Sequence, residues 1–459
     1  MKTTCTKITV LFLLLLLLCS GCHSEDSSTG QATASTMQNK IQQIAAQSNN
    51  KAAYTIQYRT INGHTVAFSV IEPPLLSVPL NEIQERANKN DPAAVFELSR
   101  RYSSATEPPG QNLDKSLRLL KKAVELKDPD AQNELGLAYS NGAPGVSIDD
   151  KKAFDLFLKA AQQGHPDGQF NLANSYEHGM GTPQDDSKAV YWYQKSADQG
   201  DPLAMQQLAL CYRDGTGVSK NGDKAVELLT KSSQAGMGIA DFYLGNMYDM
   251  GEGVAVDKKK AFEYYRKGAE RGYPSAQTYL ALKYDKGEVV SRNLTKAFEW
   301  YKKAAEAGEP QAQNNLGLMY LAGESVSKDE REGFKWIKKA AEQNDPEGLG
   351  NLCTCFLAGW GVSVNYQKGY DYALKGAALG GSTAIFNLGQ FYELGEIVQQ
   401  SDRQAYAHYV ISIEVGKKER IGRALVEDAL STVSSRMTPN QIQQAEALIP
   451  ELKRKYGLL

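Results

Sequence analysis

Histidine is scarce in this chain: five in 459 residues, at positions 23, 64, 165, 178 and 408, with no two inside one helical turn. That excludes a helix-borne zinc motif. Neither a Gly-x-Ser-x-Gly elbow nor a phosphate loop occurs. Gly179-Met180-Gly181 and Gly251-Glu252-Gly253 mimic half of a dinucleotide fingerprint, but they join helix to helix without a preceding strand and read as turns. Basic residues do not predominate, with 51 Lys+Arg against 53 Asp+Glu, so there is no footprint for nucleic acid. The one long apolar run, Ile8 to Leu18, is too short to span a bilayer. Carboxylates are scattered over amphipathic helices as solvated faces. The sequence therefore predicts no catalytic residue, no metal or cofactor site and no small-molecule substrate.

What the chain does have is a period. A marker Leu followed by a small residue recurs with that residue at Gly136, Ala173, Ala209, Gly245, Ala281, Gly317, Cys353 and Gly389, one interval being 37 and the others 36. Counting that residue as zero, an aromatic stands at plus three (Tyr139, Tyr176, Tyr212, Tyr248, Tyr284, Tyr320, Phe356, Tyr392) and a glycine at plus six (Gly142 to Gly395). A small residue at minus five, Leu at minus one and the aromatic are four apart, which is one face of a helix. Glycine at plus six ends that helix in a left-handed cap. A second amphipathic segment follows, such as Lys188 to Ala197 or Lys296 to Ala305, and stops at another glycine. Each unit is thus a helix hairpin. The small residues predict close helix crossings, and the Leu, Tyr and Trp columns, Leu244 and Tyr248 among them, predict the core. One hairpin cannot bury both faces, so stacking is obligatory.

This pattern of Leu-Gly-x-x-Tyr, Gly-x-Gly-Val, Lys-Ala and Trp-Tyr-x-Lys-Ala-Ala over about residues 94 to 416 resembles the Sel-1-like repeat family, a branch of the tetratricopeptide superfamily. The resemblance implies an all-α, right-handed superhelical solenoid of about eight to nine hairpin repeats. It also implies protein binding, as by adaptors and assembly factors, and some bacterial members are immunity proteins against secreted toxins. The expected organisation is 1–21 signal peptide, 22–50 polar linker, 51–80 β-hairpin segment, 81–416 solenoid and 417–459 capping helices. A partial unit with Leu98, Tyr102 and a Leu117 to Val124 second helix reads as the N-terminal cap. At the other end, Ile421 to Arg436 is apolar-periodic, and Thr438-Pro439-Asn440-Gln441 opens a last helix with a capping box.

Lys2, Lys7 and the apolar run form a secretory leader. It ends in Leu18-Cys19-Ser20-Gly21-Cys22, which resembles the bacterial lipobox, with Cys19 standing where that motif usually has Leu. The resemblance implies lipid attachment at Cys22, a membrane-tethered mature chain and, since His23 rather than Asp follows, the periplasmic side of the outer membrane. Ordinary cleavage near Gly21 is the alternative. Losing Lys2 and Lys7 leaves 49 basic against 53 acidic residues, a net charge of −4. Of six cysteines, Cys5 and Cys19 leave with the leader, so Cys211, Cys353 and Cys355 remain and read as core residues. Tyr54 to Thr60 and His64 to Val70 alternate around Asn62-Gly63, a hairpin signal. A lone hairpin is marginal in water and must dock. Docking on the first helices is expected; an edge offered to a partner strand is the other reading.

On each first helix, minus three, plus one and plus four share the face opposite the Leu column, the positions that line the concave groove in tetratricopeptide relatives. The predicted partner-binding residues are Phe170, Asn174 and Glu177; Gln206 and Arg213; Phe242, Asn246 and Asp249; Asp285; and Leu318 and Leu321. Phe and Leu exposed among Asn and acids would form a protein or peptide groove. Partial self-burial as the superhelix closes is the alternative. Two functions compete on this reading: a non-catalytic periplasmic scaffold, or an immunity lipoprotein that occludes a phospholipase-type or other periplasm-targeted toxin.

Overall fold

The computed structural model describes residues 54–61, 64–71, 78–104, 110–416 and 423–459, with backbone alone for 54–71. The leader, the Cys22 motif and the polar linker lie outside the described residues. The chain divides into two compact units, Met1–Ala235 and Gly236–Leu459.

Unit 1 opens with β1 (Tyr54–Ile61) and β2 (His64–Ile71), paired antiparallel with Ile61 opposite His64. The expected hairpin is there, with two residues between its strands. Helix α1 (Leu80–Asn88), which the repeat pattern did not reveal, comes next. Four helix pairs follow: α2 (Pro92–Ser103) with α3 (Leu113–Glu125), α4 (Pro129–Asn141) with α5 (Asp150–Gln162), α6 (Pro166–His178) with α7 (Asp186–Asp198), and α8 (Pro202–Asp214) with α9 (Gly222–Gln234). What reads as a partial cap in sequence is a full hairpin, α2 and α3. The strand pair does not dock on the first helices: β2 lies against α6, two repeats further along.

Unit 2 holds five pairs: α10 (Gly238–Met250) with α11 (Lys258–Glu270), α12 (Pro274–Lys286) with α13 (Leu294–Glu306), α14 (Pro310–Ala322) with α15 (Glu330–Glu342), α16 (Pro346–Ala358) with α17 (Tyr366–Ala378), and α18 (Ser382–Leu394) with α19 (Asp402–Val415). Helices α20 (Arg423–Ser435) and α21 (Pro439–Lys455) complete it, and the Thr438/Gln441 capping box forms as the sequence predicts.

The caps explain why each repeat breaks where it does. Asp128, Asp201 and Asp345 cap first helices, each followed by a proline whose missing N–H costs nothing at the first helical position. Asp149, Asp185, Asp257 and their counterparts cap second helices. Between the two, Gly179 takes φ 66° as the left-handed end of α6, and Gly181 (φ 69°) leans on the preceding repeat so closely that a Cβ would fall 2.1 Å from the Asp150 carbonyl oxygen. Each loop is tied by one recurrent bond. The N–H of the second-helix cap donates to the backbone carbonyl of the plus-three aromatic, as Asp185 does to Tyr176 at 2.9 Å and Asp257 to Tyr248 at 2.8 Å.

The small columns behave as expected. A Cβ at Gly168 would meet the Ala160 methyl at 2.7 Å, so the second helix crosses there against glycine. At the zero position, Gly136, Gly245 and Gly389 face the rings of Phe157, Tyr265 and Tyr409, leaving 2.5–2.6 Å for any Cβ. Where the equivalent second-helix residue is only Ala373, the slot holds Cys353.

One column needs correction. Leu244 is fully buried, but Tyr248 and most plus-three aromatics are half-exposed. They sit 40° round from the Leu column and over the loop, where a second-helix lysine covers the ring: Lys188 over Tyr176 at 5.2 Å, Lys260 over Tyr248 at 5.0 Å, Lys296 over Tyr284 at 5.1 Å. The fully buried tyrosine rings belong to the second helices: Tyr193, Tyr265, Tyr301 and Tyr409. Cys211, Cys353 and Cys355 are buried free thiols, as predicted, each pushed by burial up to about 12.

Candidate partner-binding face

In unit 1 the predicted face is not open. Phe170 is 1% exposed and packs against the Tyr193 ring, 5.7 Å between centroids. Asn174 is equally buried, and its carbonyl accepts from the Tyr193 hydroxyl, which also donates to Glu177 at 2.5 Å. The expectation of an exposed Phe170 therefore fails. The second-helix tyrosine reaches past its own first helix into that face, and the structure places β2 against the same helix. Gln206 on α8 is buried too, while half-exposed Arg213 is held in a two-point pair with Asp214 at 2.7 and 2.8 Å.

Unit 2 keeps part of the face accessible. Phe242 is half-buried at the centre of an aromatic set, 5.6 Å from Tyr243, 6.2 Å from Tyr265, 5.5 Å from Tyr273 and 5.4 Å from Tyr279. It is shared between core and surface, so its removal costs stability as well as surface. The Tyr265 hydroxyl donates to Asn246 at 2.7 Å. Asp249 accepts from the buried Lys283 ammonium at 2.9 Å, and Lys258 stands 2.9 Å away as well. Burial pulls the Asp249 pKa up, but these hydrogen bonds and charges outweigh it and hold the carboxyl below the usual aspartate range. Asp249 is thus a paired anion rather than a free one. Asp285 is half-exposed and bonded to Arg292. Leu318 is 38% exposed, as predicted, whereas Leu321 is buried over the Gly333 backbone.

At the end of unit 2, α20 folds over α18. Phe386 lies in a cluster with Tyr409, Val426 and Val433, and Arg436 donates to Glu393 at 3.0 Å. Three partners were missed in sequence, and each left a signal. Lys283 occupies plus two, where the other first helices from α6 onward carry Ser175, Cys211, Met247, Met319, Cys355 and Phe391. Tyr243 and Tyr279 repeat at minus two beside Phe242. Among the described residues no group of three or more His, Cys, Asp or Glu is arranged to hold a metal ion, and no helix is long and apolar enough to cross a membrane.

The Sel1 repeat model matches the chain nine times in succession, from residue 92 to residue 416, over the same helix pairs. The chain belongs to the Sel1 repeat family. Similar solved structures include c5321, a protective antigen of uropathogenic Escherichia coli strains displaying an SLR fold, at 28% identity, covering 83% of this chain and 95% of that one with a TM-score of 0.50. A Sel1 repeat protein from Oxalobacter formigenes is 31% identical, covers 69% of this chain and 90% of its own, and has a TM-score of 0.50. The immunity protein PA5088 of Pseudomonas aeruginosa is 24% identical over 47% of this chain and 80% of its own, with a TM-score of 0.36, a likeness that carries no argument about role. Comparison with curated proteins finds no match. Sel1 repeats are scaffolds suited to protein–protein interaction and are generally non-catalytic.

Proposed function

We propose that this Sel1 repeat protein is a non-catalytic, lipid-anchored scaffold on the periplasmic side of the bacterial outer membrane, and that it holds a partner protein on the first-helix face of unit 2. The observation that carries this reading is the half-open aromatic set around Phe242, rimmed by the Asp249–Lys283 pair, with Leu318 exposed on the same columns. Rigid aromatic anchors beside satisfied polar groups have the character of binding hot spots. The location rests on the leader and the lipobox-like segment ending at Cys22. The description of the similar c5321 as a protective antigen fits a chain placed outside the cytoplasm.

Capture from envelope extracts by the tethered full-length protein, with quantitative mass spectrometry, tests the binding face. Leu282→Lys together with Leu318→Lys is expected to reduce capture of the main partner at least tenfold, about 1.4 kcal/mol, with an unchanged melting temperature, since neither side chain is buried. Undiminished capture places the site elsewhere. If the main captured protein is a secreted toxin, the scaffold role gives way to an immunity role. The anchor is tested separately. Cys22→Ser is expected to move the folded protein from the membrane fraction to the soluble periplasm; persistence with membranes after a salt wash rejects lipid attachment.

A further inference from the structure

We infer that the N-terminal hairpin is a displaceable strap over a strand-binding face on unit 1. Helix α6 is buried right round: each of residues 167–175 is buried, a run found in no other first helix among the described residues. A first helix packs its small and Leu columns on its own second helix and its flanks on neighbouring repeats, which leaves one face for something outside the repeat. On α10, with no strand against it, the residues equivalent to Phe170 and Asn174, namely Phe242 and Asn246, are half-exposed. Helix α6 is met by β2, and the burial of Phe170 and Asn174 assigns that contact to this face.

Two features make this cover removable. Helix α20 closes the corresponding face of α18 with a cluster of Val426, Val433 and Phe386 and an arginine ion pair, whereas the strap is a sheet of only two strands, marginal by itself. Closure also leaves acceptors unfilled. Asn171 Oδ1 on α6 and Gln206 Oε1 on α8 are buried without a hydrogen-bond partner. What fills such acceptors is an N–H donor, and an extended segment carries a row of them along its unpaired edge. The face suits an extended strand or hairpin of a partner protein, with residues 54–71 as the resident occupant. The short connection from Ile71 to Leu80 keeps the strap at high local concentration, so a partner gains access only by competing with it. This deepens the proposed function and rests on it only in taking the competitor to be a protein.

Maleimide labelling of Asn174→Cys in the full-length chain carrying Cys5→Ser, Cys19→Ser and Cys22→Ser is the test, because the remaining native thiols at 211, 353 and 355 are buried. Deleting residues 54–71, or breaking β2 with Val66→Pro, is expected to speed labelling at least tenfold, with Asn246→Cys on α10 unchanged. Excess full-length chain carrying Asn174→Arg, whose own strap has lost its seat, is expected to slow labelling of the deleted chain by docking its hairpin in trans. If Asn174→Cys fails to fold for want of the Tyr193 hydrogen bond, Gln206→Cys reads the same face. Equally slow labelling without the hairpin means the solenoid closes the face unaided; equally fast labelling with it means no strap is docked; no protection in trans means no strand site. Each of the three overturns the inference. The Leu282/Leu318 experiment on unit 2 stands or falls independently, so the two failures are distinguishable.

Discussion

Tyr265→Ala is expected to lower the unfolding free energy by about 3–5 kcal/mol, and Tyr248→Ala by only about 1–2 kcal/mol. The difference is positional. Tyr265 is 0% exposed, fills the slot over Gly245, meets Phe242 and Tyr279, and donates its hydroxyl to Asn246. Truncation there opens a cavity and orphans a polar partner. Tyr248 loses a stacked neighbour, Tyr264, and a lysine overhead, both at the surface. Because repeats share interfaces, the Tyr265 loss should spread to the adjacent units. Circular dichroism melts with urea titrations measure both variants; equal losses would falsify the assignment of the second-helix ring to the core.

The second large effect is a pH response of opposite sign at two buried groups, one in each unit. Asp201, the cap of α8, is buried; burial is the main influence on it, the Ser196 hydroxyl opposes, the Asp167 charge adds, and the pKa rises from 3.8 to about 6. The folded state therefore holds that proton more tightly than the unfolded chain. Asp201 costs stability above pH 6, and that cost disappears as the pH falls through 6 toward 3.8. His408 in α19 is driven by burial from 6.5 down to about 4, with Nε2 2.8 Å from the Tyr456 hydroxyl and Nδ1 2.7 Å from the Gln404 carbonyl. Its contribution is complete above pH 6.5 and is lost as the pH falls toward 4. Each effect is on the order of 3 kcal/mol at its limit. Asp201→Asn keeps a good cap and is expected to raise the melting temperature at pH 7.5 but not at pH 4. His408→Gln should blunt the acid loss between pH 6.5 and 4. Parallel melting curves of parent and Asp201→Asn across that range would exclude the buried-carboxylate account.

The helix pairs, their caps and the close crossings were legible because a 36-residue period repeats the same local chemistry along the chain. The choice of ring was not. Tyr264 and Tyr265, or Tyr191 and Tyr193, both fit an amphipathic second helix, and the small residue opposite, Gly245 or Ala173, marks where one of them enters. Glycine at 245 was read as a permissive crossing when it was also a receptor for a ring. The binding face was half legible: its columns are where the spacing puts them, and Leu318 is exposed, but Phe170 is covered by the Tyr193 ring and Phe386 lies in a cluster with Val426 and Val433 of α20. No repeat pattern encodes that β2 returns to α6 or that α20 folds over α18, since those contacts join segments that lack the period. Lys283 was visible only as a break in the plus-two column, and its meaning required Asp249 one repeat away.

Each slot and its ring lie within one unit: Gly136 with Phe157 in 129–165, Gly245 with Tyr265 in 238–273, Gly389 with Tyr409 in 382–416. Of the contacts that cross a boundary, Gly181 on Asp150 meets a backbone carbonyl that any neighbour would present, whereas the Asp249–Lys283 pair and the Phe242–Tyr279 rings need particular partners. A gene duplication or deletion in steps of whole repeats therefore copies matched pairs and forfeits only the side-chain contacts of the junction it remakes, whereas an exchange within a repeat strands a ring without its slot. The array can lengthen or shorten over evolutionary time at little risk, and the segments that end its faces, the hairpin and α20, are the parts that cannot be copied along with it.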